Sequence, residues 1–268
     1  MNKTSTCSFC KGSLRAWYGH ESGFIECFAC GLVYRYPMPT DSQLDQIYVD
    51  FYSNENIQTR KTKMLSSDES IDQHAAYISK NISKPGWRVL DFGAGTGELA
   101  WRLQQEGLIA IGVEQSKNAR CVAEERYGIQ LVPSVDELTK DINEPFDLIV
   151  AIEVLEHISE PWRVLEVFNS LLKPGGTLYL STPNRNGLTA RVRKQQWREA
   201  VKPFHLVLFN FHSIKRLLAH SGYETVHCLR FSPLTTSSPV KKIVHRLLQL
   251  FNLYGGLRVV ARKSFGRT

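Results

Sequence analysis

The chain has 268 residues, of which 43% are hydrophobic and 22% charged, and it carries a net charge of +7. This composition excludes a disordered or collagen-like protein, and no apolar run approaches the ~20 residues that span a bilayer. The opening MNKTSTCSFC has no apolar signal-peptide core, so the six cysteines are expected to stay reduced and the protein to be cytoplasmic. The positive charge leaves room for an anionic partner, but a solvated basic surface accounts for it without one.

Residues 1–40 are expected to form a small zinc ribbon. Cys7-x-x-Cys10 and Cys27-x-x-Cys30 are separated by 16 residues, and each pair can aim two thiolates at one tetrahedral ion. Four sulfurs leave no open position, so the zinc is expected to be structural. Gly12 and Gly31 follow the pairs, where open backbone is needed. Leu14, Trp17, Tyr18, Phe24 and Ile25 predict two short strands. Residues 41–84 read as a helical linker or lid. Asp41 is placed to cap a short helix bearing Leu44, Ile47, Tyr48, Phe51 and Tyr52. Residues 53–70 are polar and read as a connection, and Ala75, Ile78 and Ile82 predict a helix over 71–82.

From residue 85 to the end the chain alternates strand and helix, which predicts an α/β fold with a doubly wound, mostly parallel sheet. Strands are expected at 88–92, 109–113, 129–132, 146–152 and 177–182, and helices at 97–106, 116–126 and 161–172. Ser213 is placed to cap a helix ending before Gly222. Two last strands, 223–231 and 257–263, would bring the sheet to seven. Between them, 233–256 reads as an inserted basic amphipathic helix that could rest on a membrane surface, the protein core or a second copy.

The centre of this region is Val89-Leu90-Asp91-Phe92-Gly93-Ala94-Gly95-Thr96-Gly97-Glu98-Leu99. It reads as a strand, a glycine turn and the first turn of a helix, whose free amides can face a ligand. Asp91 ends this strand and Glu114 the next, a spacing that suits the two hydroxyls of a ribose. The spacing G-x-G-x-G differs from the G-x-G-x-x-G of dinucleotide enzymes. A carboxylate at Asp91 would oppose a pyrophosphate but favour the ammonium and sulfonium of S-adenosylmethionine. The residues therefore point to the methyl donor, with a dinucleotide as the alternative. Directly after the fourth strand, Glu153-Val154-Leu155-Glu156-His157 would place residues 153, 156 and 157 on one face if helical. Such a set can bind a hard divalent ion such as magnesium, with His205 as a further ligand.

The stretches VLDFGAGTGELA, GVEQS, FDLIVAIEVLEHI and LLKPGGTLYLSTPNRNG resemble, in this order, class I S-adenosylmethionine-dependent methyltransferases, and in particular the ubiquinone-biosynthesis O-methyltransferase group. The resemblance covers roughly residues 85–230. It implies a Rossmann-like seven-stranded sheet with an antiparallel final strand. It also implies that Gly93 and Gly95 face the methionine part of the donor, that Glu114 takes the ribose hydroxyls, that Ser134 borders the adenine (an Asp often stands there) and that Ile152 lies near the adenosyl group. Asp91, Ala94, Gly97 and Gln115 complete the expected donor set. The E-x-x-E-H pattern matches a metal site in that group, while other relatives use His157 as a base or for packing. Glu153, His157 and His205 are the expected catalytic residues.

The acceptor is expected to be a small molecule methylated on oxygen. Trp197, Phe204, Phe209, Phe211 and the aromatic stretch 48–52 are candidate pocket walls. The basic stretch 184–202, with Arg185, Arg191, Arg193, Lys194 and Arg198, could meet an acidic acceptor. Methylation of carbon or nitrogen on a sugar nucleotide or natural product, RNA methylation, and a non-catalytic binding module are the alternatives. EVLEH after strand four, instead of an N/D-P-P-Y/F tetrad, argues against a nucleic-acid base as acceptor.

Overall fold

The computed structural model describes residues 6–19, 23–40, 42–44, 46–47, 68–141, 144–229 and 255–265. The aromatic stretch 48–52 and almost all of the expected helix at 233–256 lie outside them. A six-stranded sheet forms the centre, built from β4 (Arg88–Phe92), β5 (Ile109–Val113), β6 (Phe146–Ile152), β7 (Leu172–Pro183), β9 (Tyr223–Leu229) and β10 (Gly256–Lys263). Its order is β5-β4-β6-β7-β10-β9. The first four strands run parallel, and β10 is antiparallel to both neighbours. The expected strand at 129–132 takes the seventh place as a single parallel bridge, Val132 to Val113, rather than a full strand. Pro133 directly follows it and ends the pairing.

Residues buried on the two sheet faces alternate along the strands, as a period of two requires. Leu90, Ile149, Leu178 and Leu180 face one side, and Val89, Leu148, Val150 and Tyr179 the other. Helices α1 (Asp68–Asn81), α2 (Glu98–Gln105) and α3 (Lys117–Tyr127) supply Ile78, Leu99, Leu103 and Ala123 to the second side. Helices α5 (Pro161–Leu171) and α8 (Phe211–His220) supply Leu165, Phe168, Ile214 and Leu217 to the first. Between α3 and β6 lies α4 (Val135–Asp141), and between β7 and α8 lie α6 (Leu188–Arg193), α7 (Arg198–Val201) and β8 (Val207–Leu208).

Two helix starts differ from expectation. Helix α1 begins at Asp68, inside the stretch read as a connection. Asp41, the expected cap of the short helix, lies outside the described residues; beside it the Thr40 hydroxyl accepts from Gln43 N, and Gln43 Oε1 accepts from Thr40 N. Asn210, not Ser213, caps α8; the two residues exchange bonds reciprocally, with Ser213 at the third helical position. Asn210, three positions upstream of Ser213, has the extended backbone a cap needs, and Ser213 completes the capping box.

The cysteine-rich segment is not a separate bead. Strands β1 (Leu14–Ala16), β2 (Phe24–Cys27) and β3 (Val33–Arg35) form an antiparallel ribbon, one strand more than expected. Strand β3 then pairs with β8, Tyr34 opposite Val207 and Val33 opposite Leu208. Cys7, Cys27, Cys30, Leu32 and Tyr34 belong to the same apolar cluster as Leu206, Val207 and Phe209. Trp17, Phe24, Ala190, Trp197 and Leu208 form a second shared cluster. The ribbon is thus packed against the basic stretch and the region just downstream of it.

Candidate active site

The glycine turn sits at the carboxyl ends of β4, β5 and β6, where an open parallel sheet binds its ligand. Gly93, Gly95 and Gly97 all have left-handed φ, of 74°, 54° and 78°. Two of them are also needed for space. A Cβ on Gly93 would stand 2.6 Å from Val154 Cγ2, and one on Gly97 would stand 2.8 Å from Ile129 Cδ1. A Cβ on Gly95 would meet nothing within 4 Å, so backbone conformation alone selects glycine there, at the side where a ligand can approach.

The amides of this turn are less available than the sequence predicts. Gly93 N and Ala94 N both donate to Val113 O, Gly97 N donates to Ala94 O, and Gly95 N donates to Glu114 Oε2 at 2.9 Å. Glu114 also takes Ser116 N on Oε1 at 2.8 Å. The turn is therefore locked to β5, and the carboxylate of Glu114 is held firmly at its edge. Burial raises the Glu114 carboxyl above its usual range, opposed by these amide bonds. Asp91 is buried behind the turn at 3% exposure. Burial pushes its carboxyl up to about 7, against an opposing bond from Ala100 N and with help from Glu114. One oxygen, Oδ2, has no hydrogen-bond partner. Two carboxylates side by side, one with a buried orphaned oxygen, fit a cationic ligand and not an anionic one.

The other expected donor residues stand around this turn with different duties. Ile152 ends β6, half-buried, opposite Ser181. Ser134 caps α4 through its hydroxyl, which accepts from Glu137 N at 3.2 Å. Gln115 gives its carbonyl to Arg120 Nη1.

The EVLEH stretch is not the α-helix that would put residues 153, 156 and 157 on one face. Leu155–His157 form a single 3-10 turn, and Glu153 precedes it with φ 53°. A left-handed conformation at a non-glycine residue at a strand end marks stored strain of the kind found at functional sites. Glu153 keeps an exposed surface at the end of β6, while its carboxyl is bonded inward. Its Oε1 accepts from Ser181 Oγ at 2.7 Å, and burial raises its carboxyl above the usual range. Glu156 is 1% exposed; its Oε2 accepts from Thr182 Oγ1 at 2.9 Å, and its Oε1 has no partner. Burial and the neighbouring Glu153 push it well upward. Ser181 and Thr182 had no signal of their own in the sequence. They enter because β6 and β7 are neighbours in register.

His157 donates from Nδ1 to Phe204 O at 3.1 Å, and its ring stacks on Phe204 at 5.3 Å. Burial lowers it to about 4, so it is neutral at neutral pH. His205 meets the His157 ring edge-on at 4.9 Å but is only 2% exposed. Burial and His157 lower it to about 2. The structure thus unites His157 and His205 as expected, yet buries His205 too deeply to touch an acceptor. The ligand atoms of Glu156, His157 and His205 lie within 4.8 Å of one another, and Glu153 is not of this group. Two imidazoles and one carboxylate are a poor match for magnesium, which prefers all-oxygen surroundings. The residues present do not fit that ion.

Two expected pocket walls are core residues instead: Trp197 packs against the ribbon at 5% exposure, and Phe209 is fully buried. Phe204 and Phe211 are half-buried. Arg185 is not a substrate cation, because its guanidinium is buried on Glu26 at 2.8 Å and on Gly31 O at 2.9 Å. Arg191, Arg193, Lys194 and Arg198 are exposed.

The four cysteines converge. Their sulfur atoms all lie within 4.8 Å, with Cys7–Cys30 at 3.7 Å and Cys10–Cys27 at 3.4 Å. A tetrahedron with Zn–S near 2.3 Å has edges of about 3.8 Å, so the set fits zinc. Hydrogen bonds from Cys30 and Tyr34 lower the Cys7 thiol, while the bond to Cys7 and burial raise that of Cys30. The knuckles match: Lys11 N donates to Cys7 O and Gly31 N to Cys27 O, both 2.9 Å, and both residues have left-handed φ. Gly12 is needed for another reason than conformation, since its Cβ would stand 2.7 Å from Ala29 Cβ.

A family model describing a methyltransferase domain matches residues 61–228, more than half of the chain. A ubiquinone biosynthesis O-methyltransferase of Xylella fastidiosa is 39% identical over 180 residues, covering 59% of this chain and 70% of that protein. A protein of the same description from Coxiella burnetii is 38% identical over 116 residues, covering 41% of this chain. The chain spans about half the length of that relative (49%). Magnesium protoporphyrin IX methyltransferase from Synechocystis, solved with bound S-adenosylhomocysteine, shares the fold at a TM-score of 0.56 and 18% identity, covering 82% of this chain and all of that one (100%). The family model covers well over half of the chain, and the chain belongs to the methyltransferase-domain family that it describes.

Proposed function

We propose that this protein transfers a methyl group from S-adenosylmethionine to an oxygen of a small-molecule acceptor. The single observation that carries the reading is the pair of carboxylates, Asp91 and Glu114, fixed at the glycine turn one strand away from the strained, accessible Glu153. In this reading Glu114 accepts from the ribose hydroxyls, Gly93, Ala94, Gly95 and Gly97 shape the methionine site, and Asp91 balances the donor's cationic charge. Gln115, Ser134 and Ile152 border the adenosine.

The donor supplies an activated methyl group, and the protein aligns the acceptor oxygen for in-line attack. As the C–O bond forms, the C–S bond breaks and its electron pair stays on sulfur, leaving S-adenosylhomocysteine. The acceptor's proton passes to the Glu153 carboxylate, which its surroundings make more basic than an ordinary glutamate. His157, half-buried against the Phe204 carbonyl, orients the turn that follows Glu153 and is not itself the base. The accessible position of Glu153 favours this assignment over the expected one, in which His157 takes the proton. The four cysteines hold a structural zinc ion. O-methylation is also what the names of the Xylella and Coxiella relatives describe.

Calorimetry with S-adenosylmethionine, followed by an acceptor screen of phenols, catechols and carboxylates, tests the reading. Glu153→Gln is expected to lower turnover by about 10²-fold or more with donor affinity unchanged. In the parent, turnover should fall on acidification with a midpoint above the usual glutamate range, and the variant should lose that limb. His157→Ala should also reduce turnover while sparing donor binding. Equal turnover in Glu153→Gln would remove it as the base.

A further inference from the structure

One side chain of the ribbon is bonded several times to the segment that leads to His205. Arg35 ends β3, and its backbone amide donates to Leu206 O at 2.8 Å. Its guanidinium donates from Nε to His205 O at 3.0 Å, and from Nη2 to Ala200 O at 3.0 Å and Lys202 O at 2.6 Å. It lies over the Phe24 ring at 4.6 Å. A planar fork with several fixed donors can gather carbonyls from both ends of a bend, which a single ammonium cannot. The cation is thus spent on backbone, not on a substrate.

That bend, residues 200–205, carries the groups that fix His157. The Phe204 carbonyl accepts from His157 Nδ1, and the Phe204 and His205 rings enclose the imidazole. In a neutral imidazole a carbonyl on one nitrogen decides which nitrogen carries the proton. One residue further on, Leu206 N donates to Glu156 O at 2.7 Å. The bend therefore touches EVLEH at two successive points, and Arg35 closes it from the far side.

We propose that Arg35 is a positioning residue of the methyl-transfer site, holding the 200–205 bend so that the Phe204 carbonyl keeps His157 in its Nδ1–H form. The importance of this for turnover rests on the function proposed above, but the structural link does not. It predicts that the ribbon is needed for the geometry of the site and not only for folding.

The test is nitrogen NMR of the full chain labelled at histidine, with His157→Gln identifying the signal. The parent should show His157 protonated on Nδ1. In Arg35→Ala the tautomer ratio should move by roughly tenfold toward Nε2–H, the size of one lost hydrogen bond. Zinc content and S-adenosylmethionine affinity should stay at parent values, and added methylguanidine should restore the parent signal. Arg35→Lys should show a smaller shift in the same direction, and it decides the matter by the same reading if Arg35→Ala does not fold. An unchanged His157 tautomer in the folded variant would overturn the proposal. So would a shift accompanied by equal loss of donor affinity, since Arg35 would then support the whole fold. Turnover does not enter this readout, so a wrong acceptor or a wrong base leaves it intact.

Discussion

Asp91 is the residue whose chemistry is most exposed to test. Its carboxyl sits near pH 7 because burial disfavours its charge. A folded value raised above the unfolded one means that the ionised group costs stability, and the cost grows as pH rises from about 4 to about 7. The full cost is roughly 4 kcal/mol, so Asp91→Asn should raise the melting temperature of the ligand-free chain above pH 7. A cationic donor should reverse the balance by favouring the carboxylate. Near pH 6.5, S-adenosylmethionine binding should therefore release a proton, seen as a binding heat that changes with the ionisation enthalpy of the buffer. Asp91→Asn should remove that dependence. The carboxylates themselves were legible in the sequence, because the strand-turn-helix spacing places them at neighbouring strand ends. Their hydrogen bonds were not. The sequence predicts amides open to a ligand, but Gly95 N is taken by Glu114, and whether a side chain folds back on its own turn is decided by rotamer and packing.

At the level of elements, the glycine turn and the 3-10 turn after β6 are locked together. The close approach of Gly93 to Val154 leaves no room for a side chain. Gly93→Ala should cost about 1–3 kcal/mol from crowding and left-handed φ combined, measurable by denaturant unfolding, and should weaken donor binding by displacing EVLEH. The helices and strands of the main domain were readable because apolar periodicity of 3.6 and 2 persists through them. EVLEH, at five residues, is too short to show a period of its own. Its conformation is instead fixed by bonds from Ser181 and Thr182 on β7, 28 and 26 positions from their partners. The same limit explains Arg35. Its partners stand 165 to 170 positions along the chain, and no local pattern announces a contact of that range.

For the whole molecule, the ribbon and the sheet domain share a strand pairing and two apolar clusters. Loss of the zinc ligands should therefore be felt beyond the ribbon. Cys27→Ser is expected to lose bound zinc by elemental analysis and to lower the melting temperature of the entire chain in one transition, since Cys27 is fully buried in the common cluster. Two separate transitions would show instead that the ribbon is an independent unit. Among the described residues no helix is long and apolar enough to cross a membrane, and Arg191, Arg193, Lys194 and Arg198 are exposed. The central claim is that two fixed carboxylates at a glycine turn hold a cationic sulfonium donor. Isothermal titration of the full chain with S-adenosylmethionine tests it most directly. The account predicts saturable binding that Glu114→Ala weakens by about tenfold or more. No heat with the sulfonium compound, together with saturable binding of a pyrophosphate-bearing dinucleotide, would contradict it.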